Sequence, residues 1–165
     1  MSELGGIPIE GYIMPTHGVV DQDPIEYFVD ALRGVFTTGV IKAVKWAQYT
    51  PYFNDGEPCV FTIHEPYFRF ADLDDYDDGG DYEDGYLSSY EEKYQRILGG
   101  DKWNRETRSY DRIEGEDPVT GALVKSFEDV LNSGRHTVEL GRIFGDHAKV
   151  IATPDKFLVE SYDHD

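Results

Sequence analysis

The sequence predicts an α+β fold, a single domain of antiparallel β-hairpins packed against two or three helices, and three observations predict it. Two stretches place helix-start and helix-stop residues around an apolar stripe of period 3.6. Two others are rich in β-branched and aromatic residues, and each is interrupted by a turn sequence. At 165 residues the chain is also long enough for one core without help from disulfides or metals.

In VVDQDPIEYFVDALRG, Asp23 is placed as an N-cap, Pro24 at the first helical position, Glu26 closing the cap and Gly34 just past the end. Ile25, Phe28, Val29 and Leu32 then share the face turned to the core. The stretches VIKAVKWAQY and PCVFTIHEPYFRF follow, separated by a segment containing Asn54, Asp55 and Gly56, which predicts a hairpin. Alternation puts Cys59, Phe61 and Ile63 on one face and Val60, Thr62 and His64 on the other, with Trp46, Phe53, Phe61 and Phe68 expected in the core. Pro51, Pro58 and Pro66 belong at strand ends, edges or bulges, because proline has no N–H for the ladder.

The next stretch, ADLDDYDDGGDYEDGYL, reads as a solvated loop. Helix is expected again at SSYEEKYQRILGG, with Ser88 and Glu91 as a capping box, Glu92 and Arg96 spaced as an i,i+4 pair, and Gly99 as the stop. Residues 101–117 are charged and weakly patterned and receive no assignment, and the whole of 71–117 is taken as an acidic and charged insertion in one domain, 1–165. Asp117 and Pro118 then start a well-marked helix that turns Leu123, Phe127, Val130 and Leu131 inward and ends at Gly134. A short helix over Val138 to Phe144 comes next. HAKVIATPDKFLVESY predicts a second hairpin around Thr153, Pro154 and Asp155.

The net charge of −18 is unevenly spread: residues 71–92 carry ten acids and no base, while 93–165 carry 14 acids against 11 bases. Such a chain lacks the basic patch that direct nucleic-acid binding through phosphates requires. It would compete with nucleic acid for a basic groove on another protein. No apolar run approaches the roughly 18 to 20 residues of a membrane span, and MSELGGIPIEGY lacks the features of a secretory signal. With the one cysteine, Cys59, a reducing cytoplasm is expected.

Catalytic patterns are weak. Cys59 and His64 are five residues apart, so a regular strand puts them on opposite faces, and a structural cysteine is the plainer reading. Asp146 with His147, Asp163 with His164 and Asp165, His64 with Glu65, and the isolated His17 and His136 show no spacing that places two metal ligands on one helical face. Neither EF-hand register in the acidic stretch works: from Asp74 the third position is Tyr76 and the twelfth Gly85, and from Asp75 the fifth is Gly79 and the twelfth Tyr86. No phosphate-cradling loop and no nucleophile elbow occurs in the sequence. No cofactor is expected.

The strings QYTPYFNDGEPCVF and FGDHAKVIATPDKFLVESYDHD together cover about a quarter of the chain. They resemble a family of small uncharacterised acidic proteins from tailed-phage and prophage genomes. The resemblance implies a phage origin and action in the cytoplasm of a bacterial host, but it carries over no functional residue, because that family has no assigned activity. Residues 71–117 lie outside it.

The reading these observations lead to is a non-enzymatic protein that binds and inhibits a host protein with a basic, nucleic-acid-binding surface, as a partial DNA mimic or anti-defence factor. Its contacts are expected from Asp74, Asp75, Asp77, Asp78, Asp81, Glu83 and Asp84, with Tyr76, Tyr82 and Tyr86 as anchors among the charges. Two other readings stay open: a minor virion or assembly protein with a solubilising loop, and a small metal-dependent hydrolase or nuclease. The oligomeric state has no signature in the sequence.

Overall fold

A computed structural model describes residues 2–4, 7–9, 21–51, 59–72 and 85–161. In chain order its elements are β1 (Ser2–Leu4), β2 (Ile7–Ile9), α1 (Ile25–Phe36), β3 (Ile41–Tyr49), β4 (Thr62–Ile63), β5 (Tyr67–Phe70), β6 (Tyr86–Leu87), α2 (Glu92–Leu98), β7 (Gly100–Asn104), β8 (Ser109–Ile113), α3 (Pro118–Asn132), α4 (Thr137–Phe144), β9 (Ala148–Ala152) and β10 (Phe157–Ser161). This is the α+β class that the sequence predicts. No helix among the described residues is long and apolar enough to cross a membrane.

The main sheet runs β10-β9-β3-β5-β6, with β4 also paired to β3, and every pairing in it is antiparallel. β3 is its axis because it can bury one face over its whole length. Val44, Trp46 and Gln48 alternate inward, and a register shift between Ile41 and Ala43 lets Ile41 reach the same core. Their cross-strand neighbours Phe68, Phe70, Leu87, Val150 and Ala152 complete the apolar face. Against it lie Phe28, Leu32 and Val35 of α1, Tyr94 and Leu98 of α2, Val124, Phe127 and Leu131 of α3, and Leu140 of α4. An aromatic knot fixes the centre, with the Phe28 and Trp46 rings edge to face at 5.9 Å and Phe68 and Phe127 likewise at 6.3 Å.

Gln48 is wholly buried and all its polar atoms are used. Its Oε1 accepts from Trp46 Nε1 at 3.0 Å, and its Nε2 donates to the carbonyls of Leu140 and Gly145, each at 2.8 Å. It thus ties the central strand to the end of α4, where helix carbonyls lack internal partners.

Several local expectations change. Gly34 does not stop α1, which continues to Phe36; it faces α3, where a Cβ would make ordinary contact with Leu123 Cδ2 at 3.5 Å. Asp23 caps no helix through its side chain: Pro24 takes the N-cap place, and Asp23 instead binds Arg135 through its backbone N–H and, at 3.7 Å, its carboxylate. The box between Ser88 and Glu91 does not form either, Ser88 being buried, and Arg96 faces Glu116 rather than Glu92. Gly99 does close α2, with φ of 87°. The α3 cap is as expected, Asp117 accepting from the backbone N–H and the hydroxyl of Thr120. Phe61 is half-buried with its ring against Gly141, Cys59 is half-buried as well, and Phe53 lies outside the described residues.

The expected insertion over 71–117 breaks into three parts. Residues 73–84 lie outside the described residues. Residues 86–98 belong to the sheet and the core. Residues 100–113 form a separate hairpin arm, β7 with β8, which pairs with no other strand among the described residues.

Candidate functional site

The residues expected to bind a partner are delivered by one edge of the main sheet. β5 and β6 are hydrogen-bonded neighbours, Phe68 opposite Leu87 and Arg69 opposite Tyr86, so residues 71–85 connect the two arms of a hairpin. Hairpin connections are normally of about two to five residues. The root of this one is fixed by Lys93 reaching Asp72 at 3.2 Å and by Leu87, which is 1% exposed beneath it. Asp74, Asp75, Tyr76, Asp77, Asp78, Asp81, Tyr82, Glu83 and Asp84 lie in the connection, outside the described residues. Tyr86 is the exception and a correction. It belongs to β6, is 6% exposed, and presents its ring to Lys45, whose Nζ stands 4.5 Å from the ring centre. Strand pairing draws it into the scaffold, so it is not an exposed anchor.

The charge pattern sharpens once sequence and fold are put together. All 15 bases and 20 of the 33 acids fall among the residues whose side chains are described, which are therefore close to balance. The remaining 13 acids have no base within their own segments, and seven of them lie in 73–84.

Asp146 and His147 form a clip between the start of β9 and the end of β3. The Asp146 carboxylate accepts from Thr50 N at 2.8 Å, from Thr50 Oγ1 at 2.6 Å and from His147 Nδ1 at 2.9 Å. Burial works against ionising Asp146, but the bonds from Thr50 and His147 outweigh it and hold the carboxyl below its ordinary value. His147 takes φ of 78° at this turn, and its backbone N–H reaches Gln48 O at 3.1 Å. His64 stacks on Tyr49 at 4.0 Å beside it. Every contact of the Asp146 carboxylate thus stitches one turn, and among the described residues no group of three or more His, Cys, Asp or Glu side chains is poised to hold a metal. His17 and the Asp163, His164, Asp165 tail lie outside the described residues.

A cleft of about 310 Å³ between the arm and α3 has no counterpart in the sequence reading. Tyr90, Tyr110, Arg112 and Lys125 rim it, and Tyr94 and Glu128 close its floor, the Tyr94 hydroxyl donating to Glu128 Oε1 at 2.5 Å. Burial raises the pKa of both groups, and the hydrogen bond to Tyr94 only partly offsets this for Glu128. The pair locks α2 onto α3. At the arm's root the backbones are in contact, for a Cβ on Gly115 would stand 2.4 Å from Gly99 N and one on Gly121 would stand 2.3 Å from Leu98 O. The exposed residues Trp103 and Tyr110, ring centres 5.1 Å apart, project from that rigid base. Trp103 stands directly across from Tyr110 in the arm's ladder.

No family model, curated protein or solved structure matches this chain.

Proposed function

We propose that the chain is a non-enzymatic binding protein whose 73–84 segment engages a basic, nucleic-acid-binding surface on another protein. The resemblance to phage proteins makes a host protein the expected target and inhibition the expected consequence. One observation carries the reading. Seven acids without a base are tethered at both ends to a paired, buried strand edge, whereas the residues whose side chains are described carry 15 bases against 20 acids. A scaffold that concentrates one sign of charge in a single connection creates a local field, which steers a basic partner more than it adds contact energy. Tyr76 and Tyr82 supply contact area within that field; Tyr86 contributes to the scaffold.

The test is capture from a bacterial lysate on the immobilised chain, followed by affinity measurements on the captured protein over a salt series. Binding should weaken steeply with salt and fall when Asp74, Asp75, Asp77, Asp78, Asp81, Glu83 and Asp84 are replaced by Asn or Gln. Salt-independent binding that survives neutralisation would leave the segment a solubility device. A virion or assembly role is the second reading, favoured by the exposed apolar strand β10; finding the chain in purified particles would put it first.

A further inference from the structure

Among the described residues, the edge of the main sheet opposite the acidic connection is open. β10 pairs with β9 alone among the described residues, all five of its residues are exposed, and Phe157, Leu158 and Val159 are 44–45% exposed. Phe157 and Val159 sit opposite Ala152 and Val150 on the helix-covered side, where Phe157 touches the Phe144 ring at 5.1 Å; Leu158 is opposite Ile151 on the other side. Monomeric proteins blunt such edges with proline, inward-pointing charge, a bulge or a covering segment. β10 has a regular register with no proline and no inward-pointing charge along its five residues, and no strand among the described residues covers it.

We propose that β10 is a self-association surface, pairing antiparallel with β10 of a second copy about a two-fold axis through Leu158. What selects a second copy is that the strand is complementary to itself in that register. Lys156 stands opposite Glu160 of the other copy, twice by symmetry. Phe157 stands opposite Val159, and Leu158 opposite Leu158. Across residues 156–160 every apolar side chain meets an apolar one and every charge meets its opposite. Glu160 is already 3.1 Å from Lys149 on β9, so a ladder of alternating charge, Lys149, Glu160 and the second copy's Lys156, crosses the junction on the Leu158 face. Moving the register by one residue would put Leu158 opposite Val159 and leave Lys156 facing Ser161, breaking the charge match.

The pairing joins two six-stranded sheets into one and places the two acidic connections at its far ends, nine strand spacings, or about 45 Å, apart. A dimer of this kind binds a repeated or elongated basic target at two points. The interface is a single strand on each side and belongs to the small, weak class, so the dimer forms with rising concentration. The two chains also repel each other, each carrying −18, so added salt favours dimerisation.

Sedimentation of the full chain over a concentration and salt series tests this. The mass should rise from 18.8 kDa toward twice that value, and more readily at high salt. Leu158→Lys places two like charges face to face at the axis and should raise the dissociation constant about a hundredfold. Lys156→Glu and Glu160→Lys should each weaken self-association about tenfold. An equimolar mixture of the two single variants should form a heterodimer, because both cross-strand pairs are then opposite in sign; this result does not depend on either variant dimerising alone. Hydrogen exchange should show the amides of residues 157–161 gaining protection as concentration rises. A chain that stays monomeric at high concentration and salt overturns the proposal. So does a dimer indifferent to all three substitutions, failure of the mixed variants to associate, or full protection of the β10 amides in the dilute monomer.

Discussion

The two edges of the main sheet have the same local structure and opposite fates. β6 and β10 are each the outer member of an antiparallel pair, and each is reached through a connection from its neighbour. β6 has only two residues, Tyr86 and Leu87, and both are buried, under Ser88, the Lys45 ammonium and the core around α2. β10 has five, and none is buried. The difference shows where this molecule spends its apolar surface and its charge. At the β6 edge apolar groups face inward and charge is concentrated in the connection, whereas at β10 the connection is short and the apolar groups remain outside. An edge built from buried residues can hold a charged segment; an edge built from exposed ones can add a strand.

The largest effect should come from breaking the buried edge. Leu87→Ala removes a side chain that is 1% exposed and packed in the main core, and should cost about 2 to 5 kcal/mol. Leu158→Ala, at 45% exposure, should change monomer stability by less than about 1 kcal/mol. Chemical denaturation of both variants at low concentration checks the contrast. Equal losses would mean that β10 is covered in the monomer.

Next in size is the lock that holds both edges to one centre. Gln48→Leu keeps much of the volume but leaves Trp46 Nε1 and the carbonyls of Leu140 and Gly145 without their partner, and should cost about 2 to 4 kcal/mol. The loss should appear as faster exchange at the end of α4, since the Gln48 side chain ties that helix end to β3. A stability equal to wild type would show that water or repacking replaces the amide.

How far the sequence could be read follows the same division between inside and outside. α3 was legible because its cap and its stripe agree, Asp117 and Pro118 at the start and Phe127 and Leu131 inward. The hairpin of β9 and β10 was legible from the short apolar and β-branched runs on either side of Thr153, Pro154 and Asp155. The arm of β7 and β8 was not, because alternation reveals a strand only when one face is buried, and nearly all of the arm is exposed. Its turn uses no Gly: Arg108 supplies the positive φ of 55°, and the Asn104 side chain accepts from the Glu106 and Thr107 amides. Tyr86 was misread because composition groups it with the acids before it, while its burial depends on pairing with Arg69 seventeen positions earlier. Gln48 gave no signal at all, for a polar residue in a strand is recognised as a core residue only when the helix end it serves is in place.

A smaller effect concerns pH. His136 is 3% exposed, and burial lowers its pKa, opposed by Asp23. The unfolded chain, with an ordinary value of about 6.5, then binds more protons than the folded one in the window below that value. Stability should therefore fall as pH falls through the window, at no more than about 1.4 kcal/mol per pH unit for the one proton. Glu128 acts with the opposite sign: its raised pKa means that the folded state binds more protons above the ordinary value of about 4.3, so acidification stabilises there. Asp146 and Asp117, both lowered, lose their contributions only as pH falls below about 4, through their folded values. Denaturation midpoints between pH 7 and pH 4 should flatten on the neutral side with His136→Gln and steepen with Glu128→Gln. A His136→Gln curve parallel to wild type would remove the histidine from this account.

The smallest change in stability should come from the most heavily charged segment, and this sharpens the comparison of the two edges most. Replacing the seven acids of 73–84 by amides leaves the buried residues of β5 and β6 untouched, so the unfolding free energy should change by no more than about 0.5 kcal/mol. Association, however, should respond with opposite signs at the two edges. Contact between the acidic connection and a basic partner is an attraction between unlike charges, and salt weakens it. Pairing of two β10 strands brings together two chains of charge −18, and salt strengthens it. Neutralising the seven acids reduces the net charge of each chain, so it should weaken partner binding and tighten self-association in the same sample. Leu158→Lys should do the reverse to self-association while leaving the affinity of a single connection for its partner unchanged. Measuring both equilibria across one salt series for the two variants separates the edges cleanly: slopes of the same sign would mean that a single surface governs both events.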